Sequence, residues 1–316
     1  MTLASVTARS SIVIGTRGSQ LALWQAEWIQ RHLMRLVPDV SVTLKTIKTS
    51  GDKILDVPLA TIGGKGLFVK EIEDALLHGD IDLAVHSMKD VPAVLPDGLA
   101  IVCVPEREDP SDALLCRKAK SLADLPAGAR IGSSSLRRQA QLLHHRPDLR
   151  VEMLRGNLDT RLRKLDEGAY DAILLAAAGL RRLGWLERVT EYLPFSICLP
   201  AIGQGALGLE GRCDDLFVQH IVAQLNDPAT NTAVAAERAF LKRLEGGCQV
   251  PIAAHATLAG SSLTLDGLVA STDGRRVVRD SLTGPLPDAD SIGHRLAEHL
   301  LAKGADRILC EVYGKS

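Results

Sequence analysis

A short strand, a turn rich in small or cationic residues and an apolar-striped helix occur twice in this chain. The two copies constrain its fold more than any other feature. In the first, the β-branched run 11–15 leads through Thr16-Arg17-Gly18-Ser19 into a helix on which Leu21, Trp24, Trp28 and Leu36 return near helical spacing. In the second, Arg130-Ile131-Gly132 leads through Ser133-Ser134-Ser135 into a helix with Leu136, Ala140 and Leu143 on one stripe. The copies stay in step further on. Pro38-Asp39 precedes a strand at 40–46, and Pro147-Asp148 precedes one at 149–154. A helix ending at His78-Gly79 leads to a strand at 81–85, and a helix ending at Glu167-Gly168 leads to one at 170–175. The pattern predicts an α/β fold class, with two similar βαβ-type lobes around a cleft. Ligands of such lobes bind near helix N-termini at the strand ends.

The segment 105–111 carries two prolines and four charges and reads as the crossing between lobes. Residues 199–206 form a second candidate crossing, where the chain returns to the first lobe. From about Asn226 the pattern changes to a small α+β C-terminal domain. It has a helix at 232–245, strands at 262–270 and 275–281 joined by the turn signal Asp273-Gly274, a closing helix at 291–303 and a last strand at 307–312. The expected division is 1–104 with 203–223 as the first lobe, 105–202 as the second, and 224–316 as the third domain. Residues 49–66, rich in glycine with Pro58, read as a long mobile loop over the cleft.

Composition narrows the function classes. A formal net charge of −1 gives no global field to recruit nucleic acid or an anionic membrane. Aromatics are only 3% of the chain, too few for a base-stacking surface. Residues 1–11 contain no apolar signal-peptide core, and no apolar run approaches the roughly 18 residues that span a bilayer. Six cysteines without CxxC spacing argue against a zinc site and a disulfide framework. The expectation is a cytoplasmic monomer with reduced thiols and no metal.

Arginine placement is the first chemical signal. Arg17 lies in the first strand-to-helix turn, and Arg137 and Arg138 lie in the first turn of the equivalent helix. Arg155 and Arg161 flank the next helix start, and Arg182 follows the strand ending near Ala176. A cation in a first helical turn opposes the helix dipole unless something negative is bound. Recurrence at equivalent ends of the two copies points to a polycarboxylate, which arginine forks match bidentately. Any one of these arginines, taken alone, reads equally well as a solvated surface group.

Two further segments stand out. Val85-His86-Ser87-Met88-Lys89-Asp90-Val91-Pro92 closes a buried strand, where α/β sheets present reactive groups. From spacing alone, Asp90 beside Lys89 fits an ion pair or turn former at least as well as a catalytic acid, and His86 reads as satisfied by nearby backbone. Glu245-Gly246-Gly247-Cys248-Gln249-Val250-Pro251 holds a thiol on an irregular loop, as a nucleophilic or covalently modified cysteine requires. Cys103 and Cys310, in apolar strand-like runs, read as small hydrophobes.

Together, 63–68, 85–92, 132–139, 154–157, 199–206 and 245–251 resemble the successive motifs of porphobilinogen deaminases, in family order from about Ile12 to Tyr313. The resemblance implies a three-domain fold with alike first and second domains. It also implies a dipyrromethane cofactor joined to Cys248 by a thioether. Four porphobilinogen units would be added to it with loss of ammonia, and water would release the linear tetrapyrrole. Asp90 matches the family's catalytic carboxylate. By position, Lys89, Ser133, Ser135, Arg137, Arg138 and Arg161 would hold cofactor carboxylates. Arg17, Ser19, Arg155, Arg182 and Gln204 would bind the incoming or growing chain, with Lys65 on the mobile loop. Thr61 stands where many members have lysine, which puts one loop-to-carboxylate contact in doubt.

The rival reading is a two-lobed polycarboxylate-binding protein without catalysis, since periplasmic-binding-protein-like receptors share such lobes. It leaves the Gly-Gly-Cys loop and the third domain without a role. Nucleic-acid binding through 136–146 is the weaker rival, given the charge balance.

Overall fold

The computed structural model describes residues 10–53, 68–246 and 250–313. Lys65, Thr61, Cys248 and most of the 49–66 segment lie outside the described residues. The rest forms two compact units. One holds 10–53, 68–107 and 206–231, and the other holds 108–205, 232–246 and 250–313.

The first unit is built on a five-stranded sheet. Its strands are β1 (Ser11–Thr16), β2 (Ser41–Thr46), β3 (Leu83–Ser87), β4 (Leu99–Cys103) and β10 (Leu207–Arg212), in the order β2-β1-β3-β10-β4. β1 runs parallel to β2 and β3, whereas β10 is antiparallel to both β3 and β4. Late in sequence, β10 thus completes a sheet begun at Ser11. Side-chain alternation gives the sheet two buried faces. Ile12, Ile14, Leu83 and Val85 meet Ala26, Ile29 and Leu33 of the helix Gln20–Leu36 on one side. Ile81, Ala84 and Leu99 meet Ile72 and Leu76 of the helix Lys70–Leu77 on the other. The core stripe of Gln20–Leu36 is therefore Ala26, Ile29 and Leu33, not the expected line through Leu21 and Leu36. A helix with this many apolar positions offers two stripes, and Leu36, at its end, is exposed.

The second unit repeats the plan. β5 (Asp112–Cys116), β6 (Arg130–Gly132), β7 (Arg150–Glu152), β8 (Ala172–Ala176) and β9 (Glu191–Leu193) form a sheet ordered β7-β6-β8-β5-β9. Here too the first three are parallel, and β5 is antiparallel to its neighbours. The duplication reaches individual hydrogen bonds. Asp82 accepts from the Val13 N–H and donates its own N–H to the Val13 carbonyl; Asp171 does both with Arg130. Gly79 and Gly168 close the equivalent helices at φ 76° and 80°, a left-handed conformation that glycine adopts without Cβ strain. This is the α/β class of two similar lobes joined to a small α+β domain.

In that small domain β11 (Ile252–Ala259), β12 (Ser262–Ala270) and β13 (Val277–Pro285) form an antiparallel sheet. Its core is Phe240 and Leu244 from the helix Pro228–Arg243 and its end, with Leu265, Val269, Leu296 and Leu300. The expected strand at 307–312 is instead the helix Asp306–Tyr313. Ile308 and Leu309 are buried side by side, and Val312 packs against the same core, which is helical spacing. Cys310 is exposed, so its apparent alternation with Ile308 was a coincidence of a short apolar run. Cys103 fits the small-hydrophobe reading: it is buried in β4, and burial pushes its thiol up to about 12.

Candidate functional site

Two arginines of the second lobe, Arg137 and Arg138, gather on one residue that the sequence reading did not single out. Asp112 opens β5 and is 0% exposed. It accepts from Arg137 Nη1 at 2.6 Å and Nη2 at 3.2 Å. Arg138 approaches it through Nε at 2.8 Å and Nη2 at 2.6 Å. Gln204 Nε2 donates at 3.0 Å and the Cys198 thiol at 3.2 Å. Burial alone would raise the Asp112 carboxyl, but the two guanidiniums outweigh it and hold it well below the usual carboxylate range. The same surroundings push Cys198 up to about 12, burial first and the Asp112 charge next.

Both arginines also serve as struts. Arg137 Nη1 donates to the Leu199 carbonyl at 2.7 Å, and Arg138 Nη1 donates to the Leu174 carbonyl at 2.9 Å. Both are buried, so neither lies on an exposed basic face. The expectation that only a bound ligand could compensate them is corrected here: their counter-charge is the protein's own Asp112. A cancelling carboxylate 25 residues away in sequence leaves no local mark, which is why Asp112 was missed.

The remaining second-lobe residues sit at helix starts and strand ends. Ser135 caps the helix Leu136–His145, its Oγ accepting from the Arg138 N–H, and buried Ser133 Oγ accepts from the Ser135 N–H. Arg161 Nε donates to the Gly156 carbonyl at 2.8 Å, on the helix Leu158–Asp166 that follows Arg155. Arg182 Nη2 donates to the Gly205 carbonyl at 2.7 Å; burial lowers it to about 10, against the pull of Glu108. Gln204, one residue before Gly205, also donates to the Pro110 carbonyl at 2.6 Å. Arg137, Arg138 and Gln204 are thus brought together on Asp112, while Arg161 has its own backbone partner.

In the first unit Ser19 caps the helix Gln20–Leu36, accepting from the Ala22 N–H, and Arg17 lies 4.3 Å over the Phe68 ring. Lys89 and Asp90 are half-buried on a 3-10 turn, Met88–Asp90, that continues directly from β3. His86 is not satisfied by backbone as expected: its Nε2 lies 2.8 Å from Glu210 Oε2. Strand pairing explains the partner, since Glu210 stands opposite Ala84, diagonal to His86 on the same sheet face. Among the described residues no group of three or more His, Cys, Asp and Glu could hold a metal.

The second-lobe cluster fits an anionic cofactor in one respect that the structure shows. Two guanidiniums meet one carboxylate in a buried setting, and Arg137 Nε is buried with no hydrogen-bond partner among the described residues. A positive charge and a donor remain over.

A two-lobed α/β protein with a small α+β domain is the class this architecture defines. The model of the porphobilinogen deaminase dipyrromethane-cofactor-binding domain matches residues 12–220, and that of the porphobilinogen deaminase C-terminal domain matches 231–302. The porphobilinogen deaminase of Syntrophotalea carbinolica is 62% identical over 300 residues, covering 95% of each chain. That of Geobacter metallireducens is 59% identical over 306 residues, covering 97% of this chain and 96% of its own. Among solved structures, the methionine-binding protein MetQ aligns over 72% of this chain and 95% of its own, at 16% identity and a TM-score of 0.45. The chain belongs to the porphobilinogen deaminase family.

Proposed function

We propose that this chain condenses four porphobilinogen molecules head to tail, with loss of ammonia, on a dipyrromethane primer carried by Cys248, and releases hydroxymethylbilane. The observation that carries this reading is the match of both deaminase domains, in order, with relatives 62% and 59% identical over nearly the whole chain. The bound cofactor supplies the pyrrole end to which each unit is joined.

The chain's own residues do the rest. Lys89, Ser133, Ser135, Arg137, Arg138 and Arg161 hold cofactor carboxylates through charge-assisted hydrogen bonds. Arg17, Ser19, Arg155, Arg182 and Gln204, with Lys65, hold the acetate and propionate groups of the incoming unit. Asp90, near the pyrrole nitrogen, stabilises the positive charge that develops as ammonia leaves and relays protons during the condensation. The division into two lobes (1–104 with 203–223, and 105–202) and a cofactor-bearing domain (224–316), a monomeric state and a cytoplasmic location belong to the same reading.

Purified protein incubated with porphobilinogen should release four ammonia molecules for each tetrapyrrole formed. Saturable binding of porphobilinogen without any ammonia would favour a non-catalytic polycarboxylate-binding protein instead.

A further inference from the structure

One buried carboxylate organises three separate stretches of the second compact unit. Asp112 lies at the start of β5, Arg137 and Arg138 on the helix Leu136–His145, and Gln204 on the irregular segment after Leu199. Each stretch has a second tie. Gln141 accepts from the Leu199 N–H at 2.8 Å and donates to its carbonyl at 3.1 Å, while Gln204 reaches the Pro110 carbonyl. The donors around Asp112 outnumber what charge balance requires. Two cations share one anion, and both guanidinium forks are held on it.

We propose that Asp112 is the positioning residue of the anion-binding cluster, fixing the forks of Arg137 and Arg138 so that their surplus charge meets a cofactor carboxylate in a set geometry. A carboxylate buried beside two cations reduces the attraction for anions in general. Its effect is therefore orientation bought at the expense of raw field strength. The proposal rests on the deaminase reading only for the identity of the ligand.

The two roles that Asp112 could have differ in what its substitutions do. If it served only to balance charge, Asp112→Asn would raise the local positive charge and strengthen cofactor retention in whatever protein folds. If it served only to hold the lobe together, Asp112→Glu, which keeps the charge on a longer arm, would retain full cofactor once folded. Positioning requires both variants to lose it. Intact mass of the folded fraction should show cofactor occupancy at least tenfold below the parent for Asp112→Asn and for Asp112→Glu. Parent-level occupancy in either folded variant overturns the proposal.

A second measurement does not depend on those variants folding. In the cofactor-free Cys248→Ser protein, the guanidinium N–H resonances of Arg137 and Arg138 should be resolved and slowly exchanging, because Asp112 holds them without ligand. Averaged, fast-exchanging signals like those of a solvated arginine would overturn it. If the parent itself carries no adduct, the deaminase reading fails, and the guanidinium spectrum still decides whether the pair is held in a fixed geometry.

Discussion

His86 Nε2 and Glu210 Oε2, 2.8 Å apart inside the first lobe, share their sheet face with a third ionisable group, Glu73 of the helix Lys70–Leu77. Glu210 is 0% exposed and Glu73 only 6%. Glu73 Oε1 and Glu210 Oε1 are buried without hydrogen-bond partners among the described residues. Burial first, and then the charge of Glu210, raise Glu73 from an ordinary 4.5 to about 7, with His86 pulling the other way and Asp74 adding to the rise. The lobe therefore carries a carboxyl that titrates near neutrality directly behind the strand leading to Asp90.

A raised carboxyl makes stability depend on pH in a definite direction. The folded state holds the Glu73 proton up to about 7, whereas the unfolded chain releases it near 4.5. Its contribution is fully present below 4.5 and is lost as pH rises to about 7. Glu73→Gln, neutral throughout, should therefore gain on the parent across that window and level off above it. The gain should be roughly 3 kcal/mol at most. Denaturant unfolding at a series of pH values checks this; a constant difference between variant and parent would show that Glu73 does not titrate there.

Asp90→Asn should fold like the parent and keep its cofactor, since Asp90 is half-buried on a 3-10 turn and the change preserves size. Turnover should fall by roughly a hundredfold or more, the range of a lost acid–base group. Rates within a few-fold of the parent would remove Asp90 from the chemistry.

Arg137→Ala with Arg138→Ala should lose both cofactor and stability. Removing both cations leaves Asp112 buried and unpaired, a defect that costs about 3–5 kcal/mol. Adding Asp112→Ala to the pair should recover part of that stability without restoring the cofactor. Urea melts and intact masses on the double and triple variants separate the two effects.

Gly274→Ala should destabilise the second unit. Gly274, at φ 72°, forms the tip between β12 and β13, and an added Cβ would run into the backbone of Ala140 and His144. His144 Nδ1 lies 2.9 Å from the Gly274 carbonyl, and Gln139 Nε2 donates to the Thr272 carbonyl at 3.3 Å. The hairpin tip is thus docked on the helix that begins with Arg137 and Arg138. A loss of about 1–3 kcal/mol is expected for combined backbone strain and overlap, read as a lower Tm.

Periodicity and turn chemistry made the duplicated lobes legible, because each copy spends the same residues on the same jobs: a capping serine, a closing glycine, alternating branched residues in the strands. The Asp273-Gly274 turn was equally local, though not its docking on Ala140. What stayed hidden was non-local. Asp112, Glu73 and Glu210 acquire meaning only when strands far apart in sequence become neighbours. The final helix was misread because Ile308, Cys310 and Val312 alternate while Ile308, Leu309 and Val312 share a helical face, and only the packed core chooses between them. Arginines at helix starts were visible, but their internal partner was not.

A cofactor tethered to Cys248 would be visible in the intact mass of the purified protein. The parent should carry a dipyrromethane adduct that survives denaturant and reductant, as a thioether does, and digestion should place it on the peptide holding Cys248. Brief exposure to porphobilinogen should add masses in steps of one pyrrole unit, and Cys248→Ser should lose both adduct and ladder while other cysteine variants keep them. An unmodified parent that still makes the tetrapyrrole would rule out a primer tethered to Cys248.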